Sequence, residues 1–175
     1  MPDTATAPEV APEAPTIDVA LLRKELEWAT AEAVAAQVGY SATRAGGWAQ
    51  RVYAMRQRGA DENTACGSAF CIAGRTVVDT GHEIEWQGTR NPGGWYEVAI
   101  TVKGGETIAE VARVELGLTH HQASILFSSS NSIRDLWAIA AQITGGEITP
   151  PPGVEVSAEA RAWFAALLQA DPVAY

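Results

Sequence analysis

Positive charge is scarce in this chain. Twelve Lys and Arg stand against 21 Asp and Glu in 175 residues, a formal net charge of −9. Gripping nucleic acid takes a basic surface, so this balance excludes a large nucleic-acid footprint, and it equally opposes an anionic membrane. Cysteine is scarcer still: Cys66 and Cys71 cannot build a disulfide framework. No apolar run approaches the roughly 18 residues of a spanning helix. Met1-Pro2-Asp3-Thr4 opens the chain with neither the basic nor the apolar stretch of a signal peptide. Neither a Walker A run nor a Rossmann fingerprint occurs. The expectation is a soluble cytoplasmic protein with reduced thiols, and its 47% hydrophobic content suffices for a core without cross-links.

What is present reads as a tail and one α-rich domain. Residues 1–15 carry Pro2, Pro8, Pro12 and Pro15 among small and acidic residues, a composition that buries little and predicts a disordered tail. Residues 16–175 form the domain. Leu22, Leu26, Ala29, Ala33 and Ala36 mark a first helix from Ile17 to Gln37, with Glu25, Glu27 and Glu32 expected outward. Trp48, Val52 and Met55 fit a short helix. Ser68 is placed to cap the next, whose stripe is Phe70, Ala73, Gly74, Val77 and Val78 and whose stop is Gly81. Two alternating runs, 82–87 and 95–102, flank Asn91-Pro92-Gly93-Gly94 and predict a β-hairpin, which needs a helical face to lie on because two strands alone are marginal.

The second half carries legible caps. Thr107 with Glu110, and Thr119 with Gln122, have capping-box spacing, while Ser132 and Ser157 open two further helices. Gly117 is expected as the left-handed residue that ends the first of these helices, followed by apolar Leu118. The arrangement from 107 to 127 has helix-turn-helix order. The second helix, however, lacks the Arg and Lys that would specify guanine, so an ordinary helical hairpin is expected.

Three stretches are candidates for chemistry. Cys66 precedes a helix start, where dipole and free N–H groups stabilise a thiolate, and His82, His120 or His121 could supply a base. The plainer reading is a structural cysteine in a tight turn. Cys66 and Cys71, with four residues between them, and His82 could also ligate zinc, although that spacing is at the loose edge and adjacent His120 and His121 diverge on a helix. The third candidate is the 28-residue window from Ala33 to Ala60, which holds no acid but carries Arg44, Arg51, Arg56 and Arg58. The plainer reading pairs those arginines with the acidic first helix. The functional one makes Trp48, Arg51, Arg56, Arg75 and Cys66 a surface for an acidic partner or a phosphorylated small molecule, since arginine forks suit carboxylate and phosphate.

The run Cys66-Gly67-Ser68-Ala69-Phe70-Cys71-Ile72-Ala73-Gly74, followed by Leu116-Gly117-Leu118-Thr119-His120-His121-Gln122-Ala123-Ser124-Ile125-Leu126-Phe127, resembles small uncharacterised proteins of bacteria and their phages. Ser68 stands where Thr is expected, and Arg75 where Trp or His is common. The resemblance implies a bacterial or phage cytoplasmic setting and carries no activity.

The residues together predict an α+β, mostly α fold of about six helices and one β-hairpin. The favoured function is a non-enzymatic binding or accessory protein. It would have no cofactor and would act on a protein partner or a small anionic ligand, not on nucleic acid or membrane. The alternative is a cysteine-dependent enzyme using Cys66, or a zinc-binding module. Oligomeric state is left open.

Overall fold

The computed structural model describes residues 15–37, 47–48, 54–57, 68–91 and 94–170, with side chains described for 15–34, 70–88 and 98–170. Residues 1–14 of the expected 1–15 tail, and Arg44, Arg51, Arg58 and Cys66, lie outside the described residues.

Among the described residues, six helices and five strands run in the order α1 (Val19–Gln37), β1 (Gly47–Trp48), β2 (Ala54–Gln57), β3 (Ser68–Phe70), α2 (Ile72–Asp79), β4 (Ile84–Asn91), β5 (Gly94–Val102), α3 (Ile108–Glu115), α4 (His120–Leu126), α5 (Ile133–Ile143) and α6 (Ala158–Gln169). The class is α+β and mostly helical, as expected. The predicted hairpin is β4–β5, with Ile84 opposite Val102 and Asn91 opposite Gly94, so its strands run further toward the turn than the alternation indicated. It forms one side of a sheet of order β1-β3-β2-β5-β4, in which β1 and β3 are parallel and the other neighbours antiparallel.

Two expectations are corrected in that sheet. Trp48 and Met55, expected on a short helix with Val52, lie instead in strands β1 and β2, and Val52 lies outside the described residues. Four residues of ambiguous period take the state of their neighbours, and β2 is hydrogen-bonded on both edges, to β3 and to β5. Likewise Ser68 opens strand β3 and does not cap a helix. The N-cap of α2 is Cys71, whose sulfur accepts from the Gly74 N–H at 3.5 Å. Because α2 begins later, its buried face is Ile72, Ala73, Gly74, Thr76 and Val77: Ala73, Gly74 and Val77 stand as expected, and Val78 is turned outward.

The caps of the second half form as read. Thr119 and Ser132 complete reciprocal capping boxes with Gln122 and Asp135, and Ser157 caps α6. Thr107 caps α3, but Glu110 turns to Arg113 instead of closing its box. Gly117 has φ +64°, with the Leu118 N–H reaching Arg113 and its own N–H reaching Val114, a Schellman ending. Asp18 starts α1 by accepting from the Leu21 N–H at 2.8 Å.

Two apolar clusters result. One joins α1, α4, α5 and α6 around Leu22, Leu26, Leu126, Trp137 and Phe164. The other packs Ala99 and Val102 of the hairpin onto Val77 of α2 and onto Ile108, Val111 and Ala112 of α3, which is the helical support the hairpin requires. Trp28 and Phe127 touch both clusters, so α1 and α4 tie the helical half to the sheet half.

Candidate functional site

The residues singled out in the sequence do not share one described surface. Trp48 lies in β1 and Arg56 in β2, where it pairs in register with Ser68 and Glu97, and both side chains lie outside the described set. Arg51 and Cys66 lie outside it altogether. Cys71, Arg75 and His82 are described, and each has an assigned local role.

Cys71 occupies the helix N-terminus that the sequence suggested for Cys66. Two effects oppose each other there. Backbone N–H groups of α2 favour a thiolate, but the side chain is buried, and burial wins: the thiol is pushed up to about 11. Its protonated form is thereby favoured at neutral pH, and a protonated thiol is a poor nucleophile. His82 sits at the other end of α2, about 12 Å away along an eight-residue helix. Its Nε2 is 2.9 Å from Glu115 Oε1. Cys71 and His82 therefore cannot hold one zinc ion. His120 and His121 diverge as expected: Nδ1 of His120 is 3.7 Å from Glu110, and Nε2 of His121 donates to the Leu167 carbonyl of α6 at 2.9 Å. Among the described residues no three His, Cys, Asp or Glu side chains cluster as a metal site.

Arg75 is already committed. Its Nη2 binds Asp79 at 2.8 Å, one turn on, and its guanidinium lies 5.3 Å from the Trp28 ring centre. Its Nε is 4.0 Å from Glu25 Oε2, within ion-pair range but too long for a hydrogen bond. Lys24 reaches the same Asp79 at 2.6 Å. Glu25 is the surprise. Expected outward, it is completely buried, because Leu22, Glu25, Leu26 and Ala29 occupy i, i+3, i+4 and i+7 of one face, and that face is covered. No protein donor reaches either of its carboxyl oxygens, and Arg75 Nε is likewise buried without a hydrogen-bond partner. Desolvation first, and then the neighbouring Asp79 charge, push the Glu25 carboxyl up to about 7 against the pull of Arg75 and Lys24. Two carboxylates cannot bond each other. A neutral Glu25 can donate to Asp79, and that bond also favours its protonated form.

The exposed feature lies elsewhere. A shallow groove of about 540 Å³ runs between the α4–α5 turn and α6, lined by Ser130 and Asp135 on one side and by Glu159, Ala160, Trp163 and Phe164 on the other. Trp163 is 59% exposed, whereas Phe164 beside it is buried, their rings edge-on with centres 4.6 Å apart. The buried ring anchors the helix, and the exposed indole stands at the groove. Trp163 falls on the apolar stripe of α6 in the sequence, so nothing there marks it as exposed.

No protein-family profile matches the chain, and no curated protein or solved structure shows significant similarity to it.

Proposed function

We propose that this is a cytoplasmic, non-enzymatic binding protein of bacterial or phage setting, and that a protein partner docks in the groove beside Trp163. The observation that carries this reading is the exposure of that indole next to an anchored Phe164. Burying an indole on a partner removes a large apolar area from water and offers one N–H donor, which is why tryptophan dominates the energetics of many interfaces. Glu159 and Asp135 on the groove walls favour a partner segment that brings a Lys or Arg beside its apolar side chain.

The reading as a receptor for small anions is weaker, because Arg75 is paired with Asp79 at 2.8 Å. A thiol enzyme or zinc module would have to rest on Cys66 without help from Cys71, a buried thiol.

The test is selection of a displayed random-peptide library on the immobilised full chain. Enriched peptides should combine an apolar residue with Lys or Arg and lose binding on Trp163→Ala. Failure to enrich any peptide, or full retention by Trp163→Ala, would contradict the proposal.

A further inference from the structure

Glu25 has no role in the groove, yet a wholly buried carboxyl without a donor is costly unless it serves something. Among the described residues, the charged groups around it are few. On α1 there is Lys24, exposed and bound to Asp79; on α2 there are Arg75 and Asp79, the latter 8% exposed and shared between Lys24 and Arg75. β1, which packs on α1, and β3, which leads into α2, contain no titratable residue. Against α5, α1 presents Thr30, which accepts from the Trp137 indole at 2.8 Å, a neutral contact.

In this setting one guanidinium faces two carboxyls and is hydrogen-bonded to only one of them. With Glu25 neutral, Arg75 and Lys24 neutralise Asp79 and the Glu25 hydroxyl has the adjacent Asp79 carboxylate as an acceptor, while Arg75 Nε alone stays without a partner. With Glu25 ionised, two adjacent carboxylates repel, and Arg75 must move toward Glu25, or water must enter the seam between the helices. We propose that Glu25 is a proton-operated latch: protonated, it closes the α1–α2 seam through Asp79, and ionised, it loosens that seam by competing with Asp79 for Arg75.

The direction with pH follows from linkage. The Glu25 carboxyl is raised from 4.5 to about 7 on folding. Between those values the folded chain binds more protons than the unfolded one, so stability falls as pH rises through the window and is level on either side.

The test is carboxyl ¹³C titration of the Glu-labelled chain, together with thermal melts and amide exchange of the full chain and of Glu25→Gln. One glutamate should titrate near neutrality. Asp79→Asn should move its midpoint down and Arg75→Gln should move it up. The wild type should lose roughly 5–10 °C in Tm between about pH 5 and pH 8 relative to Glu25→Gln. After correction for intrinsic rates, amides of α2 should open about tenfold more readily at the higher pH in the wild type alone. If every glutamate titrates in the ordinary range, or if wild type and Glu25→Gln share one pH profile, the latch does not exist. The carboxyl titration of the wild type answers the question even if Glu25→Gln does not fold.

Discussion

Replacing Gly117 with alanine probes how the start of the chain is held. The residue has φ +64°, where a side chain costs about 1 kcal/mol. Crowding adds more. A Cβ built there would lie 1.9 Å from the Thr16 carbonyl oxygen, 2.7 Å from its carbon and 3.1 Å from the Ile17 Cα. These are backbone atoms, so no rotamer relieves the clash, and residues 16–18 must withdraw. Withdrawal breaks the 3.0 Å bond from the Asp18 N–H to the Leu116 carbonyl, worth about 1 kcal/mol, and loosens Ile17 from the core, worth about another 1 kcal/mol. The expected sum is about 3 kcal/mol, or roughly 6–12 °C in Tm. Gly145 is the internal control. Its φ is +62°, but a Cβ there meets nothing within 4 Å, so Gly145→Ala should cost only about 1 kcal/mol. The assay is urea unfolding of both variants followed by circular dichroism. Equal losses for the two would refute the contact between the start of α1 and the α3–α4 turn.

Two further outcomes are expected. Asn131 closes α4 by donating its Nδ2 to the carbonyls of Ile125 at 2.7 Å and Leu126 at 3.0 Å; Asn131→Ala should cost on the order of 2 kcal/mol in urea unfolding, and a change below about 0.5 kcal/mol would show that those carbonyls find other donors. Cys71, buried and with its thiol pushed up to about 11, should resist iodoacetamide at pH 8 until the chain unfolds, and Cys71→Ala should lose about 1–2 kcal/mol; rapid native alkylation of Cys71, located by peptide mass mapping, would contradict its burial.

Local chemistry was legible in the sequence wherever it was self-contained. Thr119, Ser132 and Ser157 cap because a hydroxyl before an apolar-periodic run needs only its own first turn, and Gly117 turns left-handed because the residues beside it define a helix end. The β4–β5 hairpin announced itself by alternation around Asn91 and Gly94. What failed depended on partners distant in sequence. β2 is a strand because β3 and β5 bracket it, and nothing within Ala54–Gln57 encodes them. Ser68 and Cys71 exchanged roles for a similar reason, since pairing of Ser68–Phe70 with β2 delays the start of α2.

The candidate site was less legible than the fold. Charge alone sent Glu25 outward, although its place between Leu22 and Leu26 on one face signalled burial. Arg75 and Asp79 stand at i,i+4 spacing, a pairing the sequence reading did not use, and their bond shows Arg75 already engaged on its own helix. Trp163 shares its stripe with Phe164, and only the three-dimensional packing separates the buried ring from the exposed one.

The central claim is that a protein partner is met at α6 and not at the arginine-rich segment. It is tested most directly by measuring the affinity of one library-selected peptide for three proteins by calorimetry: wild type, Trp163→Ala, and the double change Arg51→Glu with Arg56→Glu. A tryptophan at the centre of an interface contributes about 2 kcal/mol or more, so Trp163→Ala should weaken binding about thirtyfold while the arginine variant binds as wild type does. Loss of binding in the arginine variant with none in Trp163→Ala would contradict the account and return the functional surface to the segment around Trp48.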